Sequence, residues 1–327
     1  MQISYFESRD NMNILITGAG SIGIAMAALL KNAGQDVSIY ATGKTHDAIA
    51  ADGIRKTGLF GDISFGADEV TLADDYAAFP EESFDYILIC AKTMANDAVS
   101  KALSENRDIL KPTGKLVIFQ NGWGNDEAYL RYFDKEQICS ARIITGFQRT
   151  QPNESRVTVY TSPLLIGNLY GLDTSPMAPL AEAITKGGLP CEVTDEVGKA
   201  LWAKMVYNCT LNTLGAILGV HYGALTECEQ SVEIMNETIE EIFAVMHAAG
   251  HSTYWESAEA YRKVFYEKLV PDTYNHNAST LQDIRAKRPT EIETLTGCIL
   301  KLAKEHGVSV PVNTMIYRLV KSLEANY

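Results

Sequence analysis

The sequence predicts an α/β domain built on a doubly wound parallel sheet, followed by an all-α C-terminal domain. Three observations carry that prediction. An apolar run, Asn13–Thr17, leads into Gly18-Ala19-Gly20-Ser21-Ile22-Gly23 and then into helix formers from Ile24 to Lys31. Phe84–Cys90 is continuously apolar, as parallel strands buried on both faces are. After Asp195 the strand signals stop and the pattern is helical to the end. The expected boundary therefore separates residues 1–195 from 196–327. An α/β domain followed by a helical one suggests a ligand cleft between them.

The glycine run reads as a β-strand, a tight turn and a helix N-terminus. Gly18 permits the turn, Gly20 lets a pyrophosphate approach the backbone, and Gly23 lets the helix pack on the strand. The unpaired N–H groups and the positive dipole end of that helix then face the phosphates. Residues Gly18, Ala19, Gly20, Ser21, Ile22 and Gly23 are thus the candidate dinucleotide site of a Rossmann-type domain. Asp36–Tyr40 is the second strand, and its end should meet the adenosine ribose. A site for NAD usually places Asp or Glu there; Tyr40-Ala41-Thr42-Gly43-Lys44-Thr45 has neither. A 2′-phosphate is tolerated by such a strand end and repelled by a carboxylate, so NADP is favoured over NAD. Lys44 is the candidate phosphate contact, against the alternative of a solvated lysine.

Residues 46–52 read as a short helix, and Gly53–Val70 as two short strands. Lys92 follows the Phe84–Cys90 strand at its C-terminal end, where open α/β sheets bind ligands. Asn96–Leu103 is the next helix, Lys111–Gly114 a turn, and Lys115–Phe119 a strand that ends at Gln120-Asn121-Gly122. Lys92 and Asn121 at adjacent strand ends form a ligand-site pattern; the alternatives are a salt bridge and an Asx turn. Ile138–Thr145, Arg156–Tyr160, Leu164–Gly167 and Cys191–Thr194 complete the strands, with a helix over Pro176–Lys186.

In the helical half, Lys204, Asn208 and Asn212 recur every four residues and share one face of an otherwise apolar helix. Three polar groups on such a helix are costly unless they meet partners, either a ligand or neighbouring helices. Connections are expected at Gly250, Pro271, Pro289 and Gly307–Pro311. Thr290-x-x-Glu293 reads as a capping box, which accounts for Glu293 and leaves Glu291 available to a cleft.

Bulk composition narrows the function classes. A hydrophobic fraction of 46% with 21% charged residues describes a globular protein. A net charge of −13 with no Lys/Arg cluster argues against nucleic acid as a partner. No apolar run approaches a membrane span, and none resembles a signal peptide. Six cysteines (Cys90, Cys139, Cys191, Cys209, Cys228 and Cys298) lack short Cys-x-x-Cys spacing, so buried free thiols and a cytoplasmic location are expected. His247 and His251 lack carboxylate support, so no metal is assigned. Trp123 and His276 are candidates for the margin of the site, with core and surface roles as their alternatives. The aromatic stretch Tyr254–Tyr266 suits a core or a homodimer contact. Met1–Asn11 is polar and reads as a lead segment, or Met12 as the start.

Taken in order, these motifs resemble the ketopantoate reductase (2-dehydropantoate 2-reductase) family over nearly the whole chain. The matching residues are the Gly18–Gly23 loop, Lys92, Gln120-Asn121-Gly122, Leu201-Trp-x-Lys204-x-x-x-Asn208-Cys-x-x-Asn212, Ser279-x-x-Gln-Asp283, Arg288-x-Thr-Glu291-Ile and Pro311-x-Asn313. The resemblance implies NADPH as reductant and a small 2-oxo acid as substrate, reduced from ketopantoate to (R)-pantoate for pantothenate and coenzyme A. It implies Lys204 as catalytic acid and Glu291 as a partner of both the substrate and the lysine. It implies Asn208, Asn212, Ser279 and Asn121 as substrate contacts, with Lys92 and Asn121 beside the nicotinamide. A positioned ammonium suits the alkoxide that forms when hydride adds to a ketone.

Phe147, Arg149, Thr213 and Glu293 depart from the family pattern and suggest a reshaped substrate pocket. The alternatives kept are a same-family reductase of another 2-oxo acid and a non-catalytic NADPH sensor.

Overall fold

The computed structural model describes residues 11–326; the polar lead segment up to residue 10 and residue 327 lie outside the described residues. Two compact units are present. One is the chain up to Gln120 together with Ala128–Asp195, and the other is Asn121–Glu127 together with Glu196 onward.

The first unit opens with β1 (Asn13–Thr17), α1 (Ser21–Asn32), β2 (Asp36–Tyr40) and α2 (Gly43–Asp52). Short strands β3 (Ile54–Gly58), β4 (Ile63–Phe65) and β5 (Thr71–Ala73) follow. Next come β6 (Phe84–Ile89), α3 (Asn96–Glu105), β7 (Leu110–Ile118), β8 (Ile138–Arg142), β9 (Gly146–Gln151) and β10 (Glu154–Val159). The unit closes with β11 (Leu164–Gly167), α4 (Ala178–Gly187) and β12 (Cys191–Val193). Eight strands form the main sheet in the order β12-β11-β8-β7-β6-β1-β2-β5. The run from β5 to β8 is parallel throughout, and β11 joins β8 antiparallel. Strand order reverses beside β1, flanked by β2 and β6, and in such sheets ligands bind at the C-terminal ends beside that reversal. This is the expected doubly wound arrangement.

A second, four-stranded sheet runs β4-β3-β10-β9. It packs on α1, as does α4, which explains why Ile24–Leu30 is apolar all round: every one of those side chains is buried. Three features differ from the sequence expectation, the first being the edge strand β5, which lies beyond the two short strands expected over Gly53–Val70. Lys111–Gly114 lies inside β7 rather than in a turn; the ladder skips there, pairing Phe84 with Leu110 and then Tyr86 with Lys115. An irregularity of that kind admits Pro112, which has no N–H to give a ladder. Strand β9 was not separately expected, because Gln148–Gln151 is exposed and carries no alternation of apolar residues.

The second unit is helical: α5 (Val197–Leu218), α6 (Tyr222–Leu225), α7 (Glu229–Ala248), α8 (Ala258–Val264), α9 (Val270–Asp272), α10 (Ser279–Arg285), α11 (Cys298–His306) and α12 (Pro311–Glu324). Helix α5 packs against α7, α10 and α12, and its apolar residues are buried around most of its circumference, as a central helix requires. Pro271 lies in the last helical turn rather than in a connection. The wide π-type turn Phe265–Leu269 before it relaxes the i→i−4 register in which its ring would clash. Pro311-x-Asn313 is an N-terminal device: Glu241 on α7 accepts the amides of Val312 and Asn313, both at 2.9 Å, and the Asn313 amide group at 2.8 Å.

Five of the six cysteines are buried free thiols, and Cys228 is exposed. Among the described residues no helix is long and apolar enough to cross a membrane.

Candidate functional site

In the first unit the three glycines have different reasons. Gly18 sits at φ +95°, and a Cβ there would come 2.5 Å from the Ala91 nitrogen at the end of β6. A Cβ on Gly23 would overlap the Gly18 carbonyl oxygen. Around Gly20 the nearest atom to an added Cβ is the Cys90 carbonyl oxygen, 3.9 Å away. The protein's own packing does not require a glycine at 20. The space a side chain would fill lies where α1 begins, with Gly20 as its N-cap and Ser21 and Ile22 in its first turn. A dinucleotide pyrophosphate fits that cradle. Gly20→Ala should therefore leave thermal melting nearly unchanged while weakening binding of a nicotinamide dinucleotide about tenfold or more. Gly23→Ala should cost about 3 kcal/mol of stability. Equal loss of melting temperature in both variants would refute this division of roles.

At the end of β2, Tyr40 stacks on Tyr76 with ring centroids 4.0 Å apart, and its carbonyl accepts the Gly18 amide at 3.1 Å. Lys44 is exposed in the first turn of α2. Arg149 reaches that same turn from β9: its Nη2 donates to the Thr45 hydroxyl and, at 2.7 Å, to the Pro152 carbonyl. Lys92 is exposed just beyond β6. Gln120 ties the ends of β6 and β7 together, donating at 2.7 Å to the Ala91 carbonyl and to Asn96 Oδ1.

In the second unit, Lys204 Nζ donates to Asn121 Oδ1 at 2.5 Å, and Asn121 Nδ2 donates to Glu291 Oε2 at 2.9 Å. The asparagine thus bridges the two groups expected to pair. Its orientation follows from chemistry. A carboxylate only accepts, so Nδ2 turns to Glu291 and Oδ1 is left for the lysine. The segment 121–127, which the sequence places with the strands, belongs to the helical unit for local reasons. The Trp123 amide donates to the Thr294 carbonyl at 3.1 Å. Asn125, itself buried, donates to the Asn121 carbonyl at 2.8 Å, and Lys301 pairs with Glu127 at 2.6 Å. Gly122 is at φ +95°, and a Cβ on it would overlap the Thr294 backbone.

Glu291 is presented by a tied loop. Arg288 Nε bonds Asp283 Oδ1 at 2.9 Å, and the Arg288 amide bonds the Asp283 carbonyl at 2.9 Å. A π-type turn, Glu293–Gly297, follows, with Leu295 at φ −100°, ψ −106°. The expected capping box does not form. Thr290 gives its amide and hydroxyl to Glu324, at 2.8 and 2.7 Å, while Glu293 holds Tyr317 at 2.9 Å and Lys321 at 3.2 Å. Tertiary partners on α12 outbid the local motif.

On α5, Asn208 is half-buried on the turn after Lys204. Asn212 is buried and accepts a hydrogen bond from the Tyr222 hydroxyl. Burial pushes the Tyr222 pKa well up, so that hydroxyl stays protonated and donates. Burial also lowers the pKa of His276, whose ring lies 5.1 Å from that of Tyr222, so a neutral imidazole backs the asparagine's partner. Ser279 is exposed in the first turn of α10 and bonds to none of these groups among the described residues.

Trp123 packs with Trp202 and His251, at centroid distances of 5.2 and 4.7 Å. Burial, then the nearby His306, lowers the His251 pKa. Among the described residues no group of three His, Cys, Asp or Glu side chains is placed to hold a metal.

Two of the departures from the family pattern, Thr213 and Phe147, have partners inside their own units. Thr213 is buried and bonds back to the Cys209 carbonyl of its own helix. Phe147 packs on the apolar core of the first unit. Sequence reasoning missed Tyr222, Asn125 and Thr294, whose roles depend on contacts that no local pattern records.

The chain matches two family models, one described as "Ketopantoate reductase PanE/ApbA" over residues 14–171 and one as "Ketopantoate reductase PanE/ApbA C terminal" over residues 196–324. It is 34% identical to the 2-dehydropantoate 2-reductase of Aquifex aeolicus over 314 residues, covering 96% of this chain and 97% of that one. The crystal structure of a PanE/ApbA family ketopantoate reductase from Ralstonia eutropha JMP134 superposes with a TM-score of 0.83 at 28% identity, covering 96% of this chain and 99% of that one. A D-mandelate dehydrogenase solved with NADH and anilino(oxo)acetate shares the fold, with a TM-score of 0.82 at 20% identity and coverage of 96% and 99%.

Proposed function

Because the chain belongs to the ketopantoate reductase family, we propose that it reduces 2-dehydropantoate to (R)-pantoate with NADPH, in the cytoplasmic route to pantothenate and coenzyme A. It is an oxidoreductase of the 2-dehydropantoate 2-reductase type. The observation that carries the reading is the hydrogen-bonded series Lys204–Asn121–Glu291.

The bound nicotinamide would supply a hydride to C2 of the 2-oxo acid. Negative charge would then develop on the substrate carbonyl oxygen. Lys204 stabilises the growing charge and gives its proton to the alkoxide, so one hydride and one proton are consumed per hydroxyl formed. An ammonium has three donors, and Asn121 takes one, fixing the direction of the others. Glu291 holds the amide that holds the lysine. Asn208 and Ser279 are neutral groups suited to a carboxylate and a hydroxyl. Asn212 is placed by Tyr222. Gly18, Ala19, Gly20, Ser21, Ile22 and Gly23 would take the pyrophosphate, with Lys44, Lys92 and Asn121 as the further cofactor contacts.

NADP is favoured because no carboxylate ends β2, Lys44 lies on the turn that follows, and Arg149 reaches that turn from β9. The D-mandelate dehydrogenase solved with NADH has the same fold, so the choice of cofactor needs its own measurement.

Oxidation of NADPH should be followed with 2-dehydropantoate and with a panel of branched and aromatic 2-oxo acids. The expected result is turnover with 2-dehydropantoate at a kcat/KM about tenfold or more above the others. No turnover, or a higher kcat/KM with an aromatic 2-oxo acid, would sink this assignment.

A further inference from the structure

Arg149 lies far along the chain from the glycine loop, yet its guanidinium is fixed on the first turn of α2. One nitrogen, Nη2, spends both its hydrogens on the Thr45 hydroxyl and the Pro152 carbonyl. Among the described residues, Nη1 and Nε have no hydrogen-bond partner and no carboxylate pairs with the group, which leaves three N–H donors in a rigid plane. None of the nearby acids among the described residues pairs with the guanidinium, although Asp74 and Asp75 act on Tyr40 at the same strand end. Glu154 faces Thr150, Thr57 and Arg55, and Asp47 lies 3.6 Å from His46. Lys44, next to Thr45, forms no ion pair among the described residues. In a chain of net charge −13, two cations without acid partners on one helical turn need a reason. The turn stands at the C-terminal end of β2, where a Rossmann-type unit receives the adenosine ribose.

We infer that Arg149, delivered by the small second sheet, is a specificity-determining residue that closes with Lys44 on the 2′-phosphate of the cofactor. This rests on the NADP reading given above and extends it to an arginine that the glycine-loop motif does not contain. The anchored Nη2 orients the fork beforehand, so less side-chain entropy is lost when an oxyanion arrives. The arginine adds a second cation to the one, Lys44, that the chain carries just after the second strand.

Dissociation constants for NADPH and NADH should be measured by fluorescence titration, without substrate, for the wild type, Arg149→Gln, Lys44→Gln and the double variant. The wild type should bind NADPH about tenfold or more tighter than NADH. Arg149→Gln should weaken NADPH about tenfold, as expected for a lost charged hydrogen bond, and leave NADH within about twofold. Lys44→Gln should act likewise, and the double variant should bind both cofactors alike.

If the wild type prefers NADPH and Arg149→Gln keeps that preference, the role of Arg149 falls while the cofactor reading stands. If the variant weakens both cofactors equally, Arg149 only braces β9 against α2 and the inference is overturned. A wild type that binds NADH at least as tightly as NADPH removes both.

Discussion

Lys204→Ala should lower kcat/KM for 2-oxo acid reduction about a thousandfold and leave NADPH affinity within about twofold. The magnitude combines the loss of a proton donor with the loss of the cation facing the developing alkoxide, each worth about two to three orders of magnitude when removed alone and overlapping when removed together. Lys204→Arg should be nearly as impaired, since a guanidinium keeps its charge but does not release a proton at neutral pH. Stopped-flow measurement of hydride transfer distinguishes these effects from slow product release. A Lys204→Ala enzyme within tenfold of wild type would mean that another group protonates the product.

Gly122→Ala should be the most damaging substitution at a residue that touches no reacting atom. Its φ of +95° disfavours any L side chain, and the new Cβ would overlap the Thr294 backbone. The 121–127 segment must then move away from Thr294, taking Asn121 from both Glu291 and Lys204. A loss of about 2–4 kcal/mol in stability is expected from overpacking and backbone strain together. A loss of about a hundredfold in kcat is expected from a misplacement near 1 Å. Chemical denaturation and steady-state kinetics measure the two separately. Wild-type values in both would show that the contact between 122 and 294 yields without cost.

What the sequence made legible follows from the range of each interaction. The turn at Gly18–Gly23 and the strands β1, β2 and β6 are set by neighbours in the chain and by burial on both faces, so apolar runs and glycines report them. The polar row on α5 was visible because helical spacing is local. The bridging role of Asn121 was not, since its partners are 83 and 170 residues away. The capping box at Thr290 was misread for the same reason: Glu324 competes for the threonine from 34 residues off. Strand β9 escaped because an exposed ladder needs no apolar alternation, and with it went the destination of Arg149. Two residues that depart from the family pattern, Thr213 and Glu293, make hydrogen bonds inside the fold, and no local pattern records that of Glu293.

The excursion of Asn121–Glu127 into the helical unit has a consequence for inheritance. A break at Asp195 does not divide the chain into two self-sufficient genes' worth of protein. A fragment beginning at Glu196 would encode Lys204 and Glu291 but not the amide that joins them, and its Thr294 carbonyl would lose the Trp123 amide. Recombination between relatives at that seam would pair one parent's lysine with the other parent's asparagine loop. Crossovers that keep residues 121–127 and the helical half from a single parent are the ones compatible with the chemistry, so the two stretches should be exchanged, and should drift, as one linked block.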